Sequence, residues 1–204
     1  MSGLSEVYVH DRPTQQACNQ FCNAFPETHV DYSATVFWMT GLSGAGKTTL
    51  AHAAARNLAS AGHAVQVFDG DELRQTISQD LGFSHADRAE HIYRVARLVE
   101  NTAKRGIISI CSLITPTEAH REIVQTILPQ ANVVYVACSL QLCEQRDVKG
   151  LYATVRSGKI TDYTGVSAPF EIPRSPDCTL ETVFESVETS CARLEKYILS
   201  RAIL

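Results

Sequence analysis

No C-x-x-C pair occurs among the seven cysteines, which are odd in number and scattered over positions 18, 22, 111, 138, 143, 178 and 191. That pattern fits neither a disulfide framework nor a zinc site, so most of these thiols read as small buried hydrophobes. Cys18 and Cys22 stand closest together but have no further ligands near them, and no metal is assigned there. A basic excess is also missing. Lys and Arg total 18 against 22 Asp and Glu, for a net charge of -4, which argues against nucleic acid as a partner and leaves a small anionic ligand at a local cluster. No apolar run approaches the roughly 20 residues of a membrane helix. The first residues carry Glu6, His10, Asp11 and Arg12 in place of a leader's apolar core. A cytoplasmic chain without membrane contact is the expectation. There is no internal repeat. What remains is ordinary: 204 residues, 45% hydrophobic and 20% charged, enough for one domain with a sizeable core.

Residues 1 to 33 show no sustained periodicity and carry Pro13 and Pro26, so they read as an N-terminal arm ahead of a domain over 34–204. Short apolar runs then alternate with helix-length segments. Val36 to Thr40, Ala64 to Phe68, Ile107 to Cys111 and Asn132 to Cys138 are predicted strands. Lys47 to Ala61, closed by Gly62, is a predicted helix, as is Asp87 to Arg105, where Ile92, Val95, Ala96, Val99 and Ala103 keep helical spacing and Gly106 follows. Ser84 is placed to cap the second of these, and Phe184 to Ser200 is the predicted last helix. The alternation implies an α/β fold with a parallel sheet covered by helices on both faces. Between Lys149 and Pro176 the periodicity vanishes and glycines and prolines accumulate, which predicts a lid or binding loop over about 149–176.

Gly41-Leu42-Ser43-Gly44-Ala45-Gly46-Lys47-Thr48 matches G-x-x-x-x-G-K-[ST] between a predicted strand and a predicted helix. Glycines let several N–H groups face one concavity, and the helix N-terminus adds partial positive charge for phosphates. The predicted cradle is Gly41 to Thr48 with Thr49, in which Lys47 reaches the β- and γ-phosphates of a nucleoside triphosphate and Thr48 ligates Mg²⁺. The next strand ends in Phe68-Asp69-Gly70-Asp71, at the sheet edge where open α/β folds bind ligands. Asp69 is a candidate for Mg²⁺ or for the proton of an attacking hydroxyl, and Asp71 for a ribose or a substrate amide. Arg74 and Arg88 follow within reach as candidates for an anionic group, whereas Arg97 reads as a solvated helix charge.

From Phe37 to about Pro176 the chain resembles the adenylylsulfate kinases. The resemblance is carried by FWMTGLSGAGKTTL (37–50), FDGDELR (68–74), LGFSHADRAEHI (81–92), CEQRDVKGLY (143–152) and YTGVSAPFEIP (163–173). It implies a P-loop kinase fold, ATP and Mg²⁺, a homodimer, and phosphorylation of the 3′-hydroxyl of adenosine 5′-phosphosulfate in sulfate assimilation. It further implies Lys47, Asp69 and Thr115 as catalytic candidates, and Asp71, Arg74, Phe83, Arg88, His91, Ile114, Lys149 and Tyr163 on the acceptor side, with Tyr163 stacking on the acceptor's adenine.

The chain departs from the family pattern at four places: Thr115-Pro116 replaces Ser-Pro, Glu90 to Arg94 reads EHIYR where ENIRR is usual, Tyr163 replaces Phe, and Gly165 to Glu171 is rewritten. Thr keeps a hydroxyl and Tyr keeps a ring. His91 and Tyr93 change hydrogen bonding and charge. A second reading therefore keeps the fold and moves transfer to a hydroxyl of a different nucleotide with a charged 5′ group. A third, a non-catalytic ATP-binding module, is opposed by the presence of Lys47, Thr48, Asp69, Asp71 and Lys149 together.

Overall fold

Along Val36–Thr40 successive side chains alternate between two cores, Phe37 and Met39 to one side, Val36 and Trp38 to the other, which is the period of two that a strand imposes. Because both sides are apolar, this strand, β1, sits at the centre of a sheet and not at its rim. In the computed structural model, which describes residues 35–158 and 162–202, it is joined by β2 (Val65–Asp69), β3 (Ile108–Ser112), β4 (Asn132–Ala137) and β5 (Cys178–Glu181). All pair in parallel, in the order β2-β3-β1-β4-β5.

Helices α1 (Lys47–Ser60) and α7 (Val187–Ala202) cover one face, where Leu50, Ala54, Leu58, Leu194 and Ile198 pack on Phe37, Met39, Val134 and Leu180. The other face is covered by α3 (His85–Ala103) and α4 (Glu118–Ile127), whose Ile92, Val95, Val99 and Val124 pack on Trp38, Phe68 and Cys111. The predicted α/β architecture is the observed one. Ser84 caps α3 as expected, its hydroxyl accepting from the Asp87 N–H at 3.1 Å while the Asp87 carboxylate accepts from the Ser84 N–H at 3.3 Å. The N-terminal arm expected over 1–33 lies outside the described residues.

Three expectations are corrected. The strands predicted to start at Ala64 and Ile107 and to end at Cys138 are each displaced by one residue, and the last helix begins at Val187 instead of Phe184. The fifth strand was not predicted, because only Leu180 of Cys178–Glu181 is fully buried. An edge strand this short is held by pairing with β4 and by Asp177, whose carboxylate accepts from the Val133 N–H at 2.8 Å. The segment expected to be an aperiodic lid contains a helix, α6 (Leu151–Arg156), following α5 (Leu140–Arg146). Its entry is capped from outside the helix, since the two Asp147 carboxylate oxygens accept from the Tyr152 and Ala153 N–H groups at 3.0 Å each.

Candidate active site

The loop from Gly41 to Gly46 joins β1 to α1 and turns so tightly that a Cβ on Gly41 would stand 2.6 Å from the Val136 carbonyl oxygen, a backbone atom that cannot move aside. No side chain caps the start of α1 and its first turn holds no acid, so its orphan N–H groups are left for an anion. The Lys47 ammonium folds over the loop and donates to the Gly41 and Leu42 carbonyls at 2.9 and 2.8 Å. Burial pulls its pKa down to about 8, against the opposing influence of Asp71.

That lowered pKa has a measurable consequence. Phosphate oxygens beside the ammonium favour its charged form, so above pH 8 binding of ATP is expected to take up a proton, and affinity to fall with pH by up to about tenfold per unit. Calorimetry at pH 8.5 in buffers of different ionisation enthalpy measures the uptake. Binding heats independent of buffer would show that Lys47 is fully charged in the empty loop.

Behind the loop, Thr48 Oγ1 donates to Asp69 Oδ2 at 2.6 Å and lies 3.2 Å from Ser112 Oγ. The other Asp69 oxygen accepts from the Asp71 N–H at 2.9 Å and so caps the short helix α2 (Gly70–Arg74). Two hydroxyls and a carboxylate are hard oxygen donors, the set Mg²⁺ takes, and among the described residues no cluster of three His, Cys, Asp or Glu offers an alternative. Ser112 was missed from sequence. It ends β3 in register with Asp69, a neighbourhood created by strand order and not by any motif.

A cavity of about 660 Å³ opens at this sheet edge. Of the predicted residues, Ser43 to Thr49, Asp71, Arg74, Phe83, Arg88, His91, Ile114, Thr115, Lys149 and Tyr163 line it, while Gly41, Leu42 and Asp69 stand behind the wall. Arg74 lies over the Phe83 ring at 4.5 Å and donates to the Gly82 carbonyl at 2.6 Å, leaving further guanidinium donors toward the cavity. Arg88 donates to Phe83 O at 2.8 Å, to Thr164 Oγ1 at 2.6 Å and to the Asp162 carbonyl, which ties α3 to the segment around 162–164. His91 is buried with Nδ1 2.9 Å from Ser78 Oγ. Burial, and then the nearby Arg74 charge, lower its pKa to about 4, so it is neutral at physiological pH. Tyr93, by contrast, is exposed on α3 and lies outside the cavity lining, so its departure from the family pattern does not reach the site. Arg97 pairs with Glu100 on the surface, as a solvated helix charge.

Lys149 and Asp71, both of which line the cavity, form an exposed ion pair that joins the residue before Gly150 to α2. The segment expected to be a lid carries Tyr163, whose ring meets that of Tyr152 edge-on at 5.1 Å, and Tyr152 in turn donates to the Ser43 carbonyl at 2.9 Å. The wall also includes Arg146, Thr182, Glu185, Ser186, Val187 and Ser190, none of which sequence reasoning named. Arg146 donates to Gly44 O at 3.3 Å and Thr182 O at 2.7 Å, joining α5 and the end of β5 to the phosphate loop. Thr182 to Ser190 follow the unpredicted β5 and carry no local pattern, whereas Arg146 lies on α5 within the CEQRDVKGLY segment.

Thr115 holds a left-handed backbone, φ 43°, rare for a β-branched residue. It is 2% exposed, and its hydroxyl accepts from the Trp38 indole N–H at 2.8 Å. The geometry suits a structural hydroxyl better than a nucleophile. Thr115→Ala is expected to keep substantial activity and to lose about 1–3 kcal/mol of stability by leaving the buried indole N–H unpaired. Denaturant titration and mass spectrometry after incubation with ATP alone measure both. Stoichiometric phosphothreonine that chases into product would overturn this reading.

Residues 33–181 match the family model described as adenylylsulphate kinase. The chain is 44% identical over 161 residues to the adenylyl-sulfate kinase of Halothermothrix orenii, covering 79% of this chain and 87% of that one. It is 40% identical over 174 residues to the adenylyl-sulfate kinase of Bacillus pumilus, covering 84% and 88%. Among solved structures it is similar to the Mycobacterium tuberculosis APS kinase in complex with AMPPNP and APS, with a TM-score of 0.79 and 34% identity over 82% of this chain and 98% of that one. The five sequence segments that carry the resemblance meet around one cavity in a P-loop kinase fold, and the chain belongs to the adenylylsulphate kinase family.

Proposed function

We propose that this chain transfers the γ-phosphoryl group of ATP to the 3′-hydroxyl of adenosine 5′-phosphosulfate, giving 3′-phosphoadenylyl sulfate and ADP. The observation that carries this reading is that the phosphate loop and the arginine-rich acceptor wall open into one and the same cavity of about 660 Å³. Lys47 and the N-terminus of α1 hold the triphosphate. Thr48, Ser112 and Asp69 would hold Mg²⁺, which would neutralise phosphate charge. Arg74 and Arg88 receive the phosphosulfate, neutral His91 hydrogen-bonds the acceptor with its remaining ring nitrogen, and Tyr163 stacks on the adenine.

In the transfer, the bond from the acceptor's 3′-oxygen to the γ-phosphorus forms as the bond from that phosphorus to the β–γ bridging oxygen breaks. ADP leaves with the bridging oxygen. The hydroxyl proton passes to the carboxylate of Asp69, which ends β2 at this sheet edge. Most of the work is alignment and charge neutralisation, and Arg88, tied to Asp162 and Thr164, closes the lid against water.

No observation favours the different acceptor nucleotide: His91 is neutral and polar like the Asn it replaces, and Tyr93 lies outside the cavity. The same reading places the enzyme in the cytoplasm as a homodimer, which light scattering of the purified chain checks. No helix among the described residues is long and apolar enough to cross a membrane. The deciding experiment incubates the chain with Mg²⁺, ATP and a panel of nucleotides and identifies products by mass. Formation of 3′-phosphoadenylyl sulfate is expected. Robust transfer to another nucleotide with adenylyl sulfate inert would overturn the proposal.

A further inference from the structure

Arg121, in the first turn of α4, is 3% exposed, yet none of its bonds is to a group used in the chemistry above. Its guanidinium makes a fork onto the Glu118 carboxylate, from Nε at 3.2 Å and Nη2 at 2.9 Å. Its remaining donors reach two carbonyls far apart in sequence, Thr115 O from Nη1 at 3.0 Å and Glu171 O from Nη2 at 2.9 Å. The second connection is doubled by the Glu171 N–H donating to Pro116 O at 2.8 Å, and by the Glu118 N–H donating to Glu171 Oε2 at 2.7 Å.

Each end of this knot belongs to a segment that encloses the acceptor. Ile114, Thr115 and Pro116 line the cavity, as do Asp162, Tyr163 and Thr164 of the segment that runs on to Glu171, which itself lies outside the lining. We infer that Arg121 is a positioning residue for the acceptor: it fastens the Ile114–Pro116 loop to the trailing end of the lid, so that the two segments enclosing that substrate keep one spacing. The inference deepens the proposed function and rests on its acceptor side. Arginine suits the position because a planar fork can bind a carboxylate and still hold two carbonyls, whereas a lysine ammonium has three donors and no fixed plane. Toward the phosphate loop the Ile114–Pro116 segment has a long bond from the Gly41 N–H to Ile114 O at 3.5 Å, and Thr40 Oγ1, just ahead of that loop, donates to Ile114 O at 2.6 Å. Arg121 itself bonds no residue of the phosphate loop, so its loss is expected to bear first on the acceptor side.

The chain's single tryptophan provides the readout. Trp38 is 1% exposed and its indole N–H is bonded to Thr115 Oγ1, inside the loop that Arg121 holds. Occupation of the acceptor side is therefore expected to shift Trp38 emission. The experiment compares Arg121→Lys and Glu118→Gln with the unaltered enzyme, using whichever nucleotide that enzyme phosphorylates. The identity of the acceptor is thus judged on the unaltered enzyme, and Arg121 on the ratio of variant to unaltered.

For Arg121→Lys, KM for the acceptor is expected to rise about tenfold, KM for ATP to stay within about twofold, and the acceptor-induced change in Trp38 emission to be largely lost. Glu118→Gln keeps the shape of the fork's partner and removes its charge, so the same pattern is expected at smaller amplitude. It also keeps the test open if the lysine variant does not fold. Equal loss of affinity for both substrates, or unchanged KM values with an intact Trp38 response in folded variants, would overturn the inference.

Discussion

Asp69→Asn is expected to lower kcat by about 10²- to 10⁴-fold, the usual weight of a positioned acid–base group, with ATP binding and melting temperature nearly unchanged. The reason for expecting so clean a separation lies in the two jobs of this side chain. One oxygen caps α2 by accepting from the Asp71 N–H, and the other accepts from Thr48 Oγ1. Asparagine is as good a cap as aspartate, and its amide oxygen serves one of these donors, so the turn that carries Asp71 and Arg74 should stand. What the substitution removes is the negative charge behind Thr48 and Ser112, and with it both the attraction for Mg²⁺ and the destination of the hydroxyl proton. A coupled assay for ADP, calorimetry with ATP and thermal unfolding give the three quantities. Near-normal turnover would reduce Asp69 to a turn residue.

Lys47→Ala carries the second large effect, a loss of about 10²- to 10³-fold or more in kcat, because the charge it places on the migrating phosphoryl group is offered from inside a desolvated loop. Its stability signature runs the other way. A lysine whose folded pKa is about 8 against an ordinary 10.5 is penalised while protonated, fully below pH 8 and progressively less as the pH rises toward 10.5. Removing it lifts that penalty. At pH 7 the alanine variant is therefore expected to melt no lower than the unaltered protein, and its advantage is expected to shrink between pH 8 and 10.5. A variant that unfolds at lower temperature at pH 7 would show that the two carbonyl contacts outweigh the cost of burying the ammonium.

The phosphate loop, Asp69 and the helix entry at Ser84 were legible because each is set by its own neighbours in sequence. Gly44 and Gly46 are needed where the backbone takes φ 78° and 103°, and Ser84 and Asp87 bond to each other across one turn. The central strands were legible because a strand buried on both faces must be apolar throughout. At the edge that signal fails. Cys178–Glu181 buries a single side chain fully, and without it nothing in the sequence points to Thr182 or Ser190 as parts of the site. Helix α6 escaped for a related reason, since its cap, Asp147, lies four residues before its first residue.

The amino-acid sequence by itself determined the parallel α/β class, the position of the phosphate loop and the identity of its lysine, because local conformational preference and a two-faced apolar pattern leave few alternatives. Only the tertiary structure decided which groups stand together across strands and loops. Ser112 becomes a neighbour of Thr48 through the order β2-β3-β1, His91 is made neutral by burial and by Arg74, and Thr115 is held by Trp38 and Arg121 in a conformation its own side chain disfavours. Each of these depends on desolvation or on a hydrogen bond between residues distant in the chain, and neither has a local sequence signal.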